Sequence, residues 1–220
     1  MNAANLQLSA EEMRLVSDPA VILTKNSIIQ KVVGLFAGLC GEYQEIYGPR
    51  DIPSPSPKIS KGENYQGLPY VMLDYPRLFG REDVLAIRTF FWWGHGFSVT
   101  LHLKGGYLRR YLPVLQQRWA ELAAAGFHVG VSPDEWRHEH VEGNYRPLVS
   151  ADDMSRGASA GDASMGEGPA DEAPVRESPA DAARPAGSSF LKLSAACGLD
   201  QWQDAPAVLL GSFRVLVSVL

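Results

Sequence analysis

The longest regular pattern of apolar positions along the chain is helical. Between Ser27 and Tyr47, apolar side chains recur every three or four residues and predict one face of an amphipathic helix. They are Ile29, Val32, Val33, Phe36, Leu39, Cys40, Tyr43, Ile46 and Tyr47. Gly34, Gly38 and Gly41 each weaken a helix by about 1 kcal/mol relative to Ala. We therefore expect a neighbouring element to approach them closely.

Two further helices are predicted downstream. Residues 111–125 carry an apolar stripe, with Pro113 in the first turn and Gly126 after the last. Residues 205–220 are apolar on nearly every side, which indicates a helix that is buried or paired. Ser9 with Glu12, and Ser132 with Glu135, have the spacing of capping boxes and predict two short helices.

Alternating positions predict strands between these helices. Residues 84–104 predict a β-hairpin around Gly94-His95-Gly96, and burial favours a three-residue loop that pairs Trp93 with Phe97. One face of the hairpin is then apolar: Leu85, Ile87, Thr89, Phe91, Trp93, Phe97, Val99, Leu101 and Leu103. The other is polar and aromatic: Ala86, Arg88, Phe90, Trp92, Ser98, Thr100 and His102. A slip of one residue would exchange the two faces.

Shorter strands are predicted around this hairpin. They are Tyr70–Tyr75, which Pro76 would end, Phe127–Val131, and an edge strand over 190–199. Together the elements predict an α+β fold. Its mostly antiparallel sheet is centred on the hairpin 84–104 and packs against the amphipathic helices 27–47, 111–125 and 205–220.

Composition divides the chain into three parts. Of the 40 residues 150–189, 26 are Ala, Gly, Pro or Ser and none is aromatic, so we expect a disordered insertion. The 31 residues that follow, 190–220, are fewer than the roughly 40 that fold unaided. We therefore expect their strand and helix to complete the single domain begun by residues 1–149.

Charge and cysteine content restrict the partners. The insertion holds eight acidic residues and three arginines, which accounts for the whole net charge of -5. The neutral remainder offers no basic surface for nucleic acid or an anionic membrane, and the basic connector 58–65 is thin support for RNA contact. Two cysteines make no disulfide framework, and neither a secretory signal nor a sufficiently long membrane span is visible. A soluble cytoplasmic protein is expected.

Motifs for cofactors are missing from the sequence, and a metal site has weak support. We find no P-loop, dinucleotide fingerprint, Cys-x-x-Cys pair or His-Glu-x-x-His motif, so no cofactor is predicted. His138 and His140 are the candidate metal ligands, but residues two apart share a face on a strand and not on the helix predicted there. A third ligand would have to come from elsewhere. The alternative is a solvated helix face with Trp136 turned inward.

The polar-aromatic face of the hairpin is the candidate ligand site. Arg88, Trp92, Thr100 and His102 lie on it, and Asp74 is contributed by the neighbouring strand. A guanidinium and an imidazole between aromatic walls can orient an anionic or planar ligand. The alternative is that Arg88 and Asp74 form a structural ion pair beneath a helix.

Three classes of function remain open. The first is binding of a small molecule or a protein partner through the polar-aromatic face. The second is a small hydrolase- or transferase-like enzyme, with His102 or His95 as acid or base and Arg88 as anion anchor. The third is a structural or interaction protein with no pocket. An open cavity lined by Arg88, Trp92 and His102 would distinguish the third class from the other two.

Overall fold

A computed structural model describes residues 6–148 and 189–220. The described helices are α1 (Ala10–Val16), α2 (Pro19–Tyr47), α3 (Gly105–Gln117), α4 (Trp119–Ala124) and α5 (Ala205–Ser218). The strands are β1 (Lys58–Tyr65), β2 (Leu68–Phe79), β3 (Val84–Trp92), β4 (Gly96–Lys104), β5 (His128–Gly130), β6 (Tyr145–Pro147) and β7 (Phe190–Cys197). The predicted insertion, residues 150–189, lies outside the described residues except for Ser189.

The seven strands form one antiparallel sheet in the order β1-β2-β3-β4-β7-β5-β6. Helices α2 and α5 pack against one of its sides, which confirms the predicted α+β fold. The prediction that residues 190–199 form an edge strand is wrong, because β7 lies between β4 and β5. Both sides of β7 are covered, so Lys192 and Ser194 are as buried as the leucines beside them.

The central hairpin confirms the two predicted faces. Its last pair is Trp92 with Gly96, so the loop is Trp93-Gly94-His95, and the predicted pairing of Trp93 with Phe97 is wrong by two residues. A shift of two residues leaves every side chain on its predicted face. Glycine is required at position 96, because a Cβ atom there would lie 2.5 Å from the carbonyl oxygen of Cys197 on β7.

The apolar side of the sheet holds the core. Tyr43 of α2 stacks on Phe213 of α5 with ring centroids 3.7 Å apart. The Tyr43 hydroxyl also lies 2.9 Å from Thr89 Oγ1, so the hydroxyl group that β3 turns into this core has a hydrogen-bond partner. These contacts join both helices to the central strand.

Several predicted element boundaries are wrong. Helix α2 begins at Pro19 rather than at Ser27, because Asp18 Oδ1 accepts a hydrogen bond from the Ala20 amide at 2.9 Å. The single helix predicted over 111–125 is two helices, α3 and α4, which meet at Arg118. Helix α3 starts at Gly105, where Asp83 accepts the Gly106 amide at 2.5 Å, so Pro113 lies inside the helix and not in its first turn.

Two segments predicted to end or to connect are strands. Strand β2 continues through Pro76, because the register shift between Asp74 and Arg77 accommodates a residue that has no amide hydrogen. Residues 58–65 were predicted as a connector but pair with β2 as strand β1.

The close neighbour expected at Gly34, Gly38 and Gly41 of α2 is also not found. Within the described chain, a Cβ atom on any of them would meet nothing within 4 Å.

Removal of residues 205–220 is predicted to unfold or aggregate the protein. Five side chains of α5 are buried: Ala205, Leu209, Phe213, Leu216 and Val217. Without them, the side of the sheet that carries Thr89 and the stacked face of Tyr43 would be exposed to water. Circular dichroism and gel filtration measure the outcome. The control is removal of residues 1–16, because α1 buries no residue and its loss should leave the melting temperature almost unchanged. A soluble 1–204 fragment that melts like the full chain would contradict this prediction.

Candidate functional site

Residues 131–144 cross the polar side of the sheet as an irregular segment with two turns. The short helix predicted from Ser132 is wrong, because the polar side chains there cap turns instead. Ser132 Oγ accepts the Asp134 amide at 3.2 Å, and Asp134 Oδ1 accepts the Trp136 amide at 2.8 Å. The side chain of Trp136 was predicted to turn inward if this segment were a solvated helix face, but it is 49% exposed. The segment therefore covers the polar-aromatic face with backbone and polar side chains.

Arg88 and Asp74 form a two-pronged ion pair in the middle of this face. They are direct cross-strand neighbours on β3 and β2. Arg88 Nε and Nη2 donate to the two carboxylate oxygens of Asp74 at 2.7 and 2.9 Å. Both side chains are largely buried. Geometry of this kind is stronger than that of an ordinary surface ion pair, and the loss of one partner would leave a buried charge.

His138 completes the coordination of the Arg88 guanidinium from the covering segment. Arg88 Nη1 donates to His138 Nε2 at 2.7 Å, and the His138 amide donates to the Tyr65 hydroxyl at 2.8 Å. Burial, together with the charges of Arg88 and Lys192, lowers the pKa of His138 to about 2. The ring is therefore a neutral hydrogen-bond acceptor at physiological pH.

Tyr65 and Glu139 anchor the same segment from the other end. The Tyr65 hydroxyl donates to Glu139 Oε2, and Arg137 Nε donates to Glu139 Oε1 at 2.6 Å. Burial and the adjacent carboxylate raise the pKa of Tyr65 to about 12, so it remains a donor. Asn144 Nδ2 donates to the Glu139 carbonyl oxygen at 2.6 Å and closes the turn.

His102 lies beside this network on β4. Its Nε2 atom is 3.2 Å from Glu135 Oε2, although the two atoms are not aligned for a hydrogen bond. Glu135 Oε1 instead accepts from Lys104 Nζ at 2.9 Å. Burial, and then the positive charge of Lys192, lowers the pKa of His102 to about 4, so this imidazole is also neutral at physiological pH.

Lys192 is the site residue that the sequence did not reveal. It pairs with His102 across β4 and β7, is only 3% exposed, and donates through Nζ to the carbonyl oxygens of Glu135 (3.3 Å) and Arg137. No carboxylate of the described chain lies within 4 Å of this ammonium. Burial lowers the pKa of Lys192 to about 8. Its alternation with Leu191 and Leu193 was visible in the sequence, but the pairing of β7 with β4 was not.

These side chains enclose a small cavity. Its volume is about 20 Å³, which is room for one or two water molecules. The lining includes Arg88, His102, Glu135, His138, Lys192 and the rings of Phe79 and Phe90.

The structure distributes the predicted ligand residues unevenly around this cavity. Arg88, Thr100 and His102 line it, and Thr100 Oγ1 is 2.8 Å from Ser194 Oγ. Asp74 lies behind Arg88. Trp92 and His95 line a second small cavity near the hairpin loop, where their rings stack 3.7 Å apart. His95 lies in the hairpin loop, seven residues before His102, which places the two residues roughly 20 Å apart along β4. The two predicted acid or base candidates therefore do not share a site.

The two candidate metal ligands point to different neighbours. His138 contacts Arg88, whereas His140 stacks on Tyr145 at 4.9 Å and lies 4.6 Å from the ring of His128. In residues 6–148 and 189–220, no three His, Cys, Asp or Glu side chains are grouped closely enough to hold a metal ion. The adjacent guanidinium further disfavours a cation at His138.

Comparison of the chain with protein-family models, with curated proteins and with solved structures found no match. A fold class hosts many activities, so the geometry of the site is what bears on the function of this chain.

Substitution of Arg88 by Met is predicted to destabilise the fold by roughly 3–5 kcal/mol, because it leaves the buried Asp74 carboxylate unpaired. Asp74→Asn in the same chain should restore much of this loss, since both charges are then gone. Chemical denaturation at an unchanged m-value measures both effects. Arg81→Met is the control, because that side chain is 96% exposed and its removal should change stability by within about 0.5 kcal/mol. A near-neutral Arg88→Met would show that the pair contributes little to the fold.

Proposed function

We propose that the protein binds a small molecule carrying a carboxylate group in the cavity beneath residues 131–144. The observation that supports this proposal is the burial of the Lys192 ammonium with no carboxylate of the described residues within 4 Å, although the charges of Glu139 and Asp134 act on it from farther away. The ammonium group is buried beside the cavity and donates hydrogen bonds to two carbonyl oxygens. Its third N–H group remains available as a donor. Burial of an ammonium without a carboxylate partner is unfavourable, and a bound carboxylate would supply the missing charge through a charge-assisted hydrogen bond.

The other cavity residues have distinct roles in this proposal. The Arg88 guanidinium is already paired with Asp74, so it forms a wall of the cavity. Lys192 therefore takes the role of anion anchor that was predicted for Arg88. His102 is neutral and contributes one ring nitrogen to hydrogen bonding with the bound group.

The rim of the cavity favours an apolar remainder on the ligand. Phe79 and Trp136 are 42% and 49% exposed, and their ring centroids lie 6.3 Å apart. Phe79 lines the cavity, and the Trp136 ring lies 5.9 Å from that of His102. A ligand whose carboxylate reaches Lys192 would lay its remainder against these two rings. We therefore propose an aromatic or aliphatic monocarboxylate as the ligand class.

A second candidate function is an enzyme that uses the same cavity. The contact between His102 and Glu135 beside Lys192 places an imidazole, a carboxylate and an amine of lowered pKa together, as general acid and base chemistry requires. Recovery of the bound ligand chemically unchanged would favour the binding protein over the enzyme.

We propose the cytoplasm as the compartment, where unpaired thiols such as those of Cys40 and Cys197 remain reduced.

Thermal unfolding in sodium acetate and in sodium phenylacetate tests the proposal. Relative to sodium chloride of equal ionic strength, each carboxylate should raise the melting temperature of the wild type. At ten times the dissociation constant, the expected increase is roughly 3–6 °C. Phenylacetate should act at lower concentration than acetate, because its ring contacts Phe79 and Trp136. Trp136→Ala should remove this advantage and leave the acetate effect unchanged.

The decisive variant is Lys192→Met, which keeps the length of the side chain and removes its charge. Its melting temperature should not respond to either carboxylate. Lys61→Met is the matched control, because Lys61 is exposed and pairs with Val71, whose side chain belongs to the core on the other side of the sheet. Equal responses in the wild type and in Lys192→Met, or no response in the wild type, would refute the proposed site.

A further inference from the structure

The outer side of α2 is an unpartnered helix face made of small residues. Gly34, Ala37, Gly38 and Gly41 are exposed, and a Cβ atom on any of the three glycines would meet nothing within 4 Å in the described chain. Each glycine weakens an exposed helix by about 1 kcal/mol relative to Ala. A face without side chains lets a second helix approach unusually closely, and no described element of this chain does so.

A separate group of exposed apolar residues lies nearer the N-terminus. Ile22 is seven residues before the buried Ile29, so it continues the sheet-facing side of α2 and not the glycine face. Eight of the twelve large exposed hydrophobic side chains in the described residues lie between Leu6 and Leu23. Helix α1 buries none of its residues, and the first buried residue of α2 is Ile29. The first turns of α2 therefore extend beyond the sheet with Val21, Ile22 and Leu23 in contact with water. A concentration of apolar surface of this kind marks an interaction site.

The charges beside the small residues indicate what kind of partner fits. Lys31 and Glu42 are exposed and make no ion pair with any described residue. They are eleven residues apart, which is three helical turns to within about 20°, so both lie on the same flank of the glycine face. A twofold axis perpendicular to an antiparallel helix pair brings each flank against the same flank of the other helix. Lys31 of one helix would then lie opposite Glu42 of an identical helix.

We propose that α2 packs antiparallel against α2 of a second copy of this chain. Lys31 pairs with the partner's Glu42, and symmetry repeats the pair at the other end. The midpoint between Lys31 and Glu42 lies next to Ala37, within about one residue of the centre of the stretch from Gly34 to Gly41. The two charges and the small residues thus specify the same axis, although they are separate features of the sequence.

A membrane is a poorer fit to the same face. By length and composition α2 could cross a bilayer, but one side of it is committed to the sheet through buried residues from Ile29 to Tyr47. The described segment before it carries Glu11, Glu12 and Asp18 against a single arginine, Arg14, which disfavours an anionic lipid surface. A second copy of the chain supplies a partner for both Lys31 and Glu42, and its α2 helix can approach the glycine face closely.

Sedimentation equilibrium of the full chain tests the inference. The wild type should have twice the 24.0 kDa of one chain. Lys31→Glu places like charges opposite each other and should weaken the dimer roughly tenfold. The double variant Lys31→Glu with Glu42→Lys should restore the wild-type affinity. Gly38→Gln should weaken the dimer through its bulk, while its better helix propensity preserves the monomer fold. Lys61→Glu on β1 is the control and should have no effect.

Each result supports or overturns the proposal. A dimer that Lys31→Glu weakens and the double variant restores supports the antiparallel α2 interface. A wild type that is monomeric at all concentrations overturns it and indicates that another segment or another protein covers α2. A dimer indifferent to both Gly38→Gln and Lys31→Glu also overturns it, because the copies then meet elsewhere. None of these outcomes depends on whether Lys192 binds a carboxylate.

Discussion

Antiparallel pairing of β3 with β4 is the constraint on which the rest of the structure depends. It places the leucines, Ile87 and Val99 of the hairpin on one side of the sheet, and Arg88, Thr100 and His102 on the other. Helices α2 and α5 cover the first side. Strands β3, β4 and β7 lie in the middle of the sheet, so their polar side chains would reach water only if nothing covered the polar side. Residues 131–144 close it, and most of the buried polar groups therefore pair with one another or with the backbone of that segment.

The polar side is held together by pairing between elements that are distant in sequence. Arg88 joins β3 to Asp74 on β2 and to His138 on the covering segment. Tyr65 and Lys192 bind the same segment from β1 and β7. Each contact satisfies one buried group and fixes the position of the next, so the cavity is shaped by the covering segment as much as by the sheet. Lys192 lines that cavity without a carboxylate of the described residues within 4 Å, which is why we propose it as the ligand anchor.

Local sequence patterns predicted this fold correctly in the strands, where every second side chain faces the core, and in the helices, where every third or fourth does. The hairpin faces, the apolar α5 and the sheet-facing positions of α2 all follow from such periodicity. The covering segment has no periodicity, and its capping-box spacing predicted a helix where Ser132 and Asp134 cap turns. The neighbour of β7 depends on sheet order, which is a property of the whole chain. Lys192 was missed for that reason, whereas Arg88, His102 and Thr100 were found on a strand whose partner is adjacent in sequence.

The closure of the polar side is tested most directly by the ionisation of its histidines. We expect the ring resonances of His102 and His138, followed by NMR from pH 8 to pH 5, to show neutral imidazoles throughout. Burial and the charges of Lys192 and Arg88 lower their pKa values to about 4 and about 2. Titration of either ring near 6.5, the value of an imidazole in water, would contradict this structure, because it would mean that water reaches the face that residues 131–144 cover.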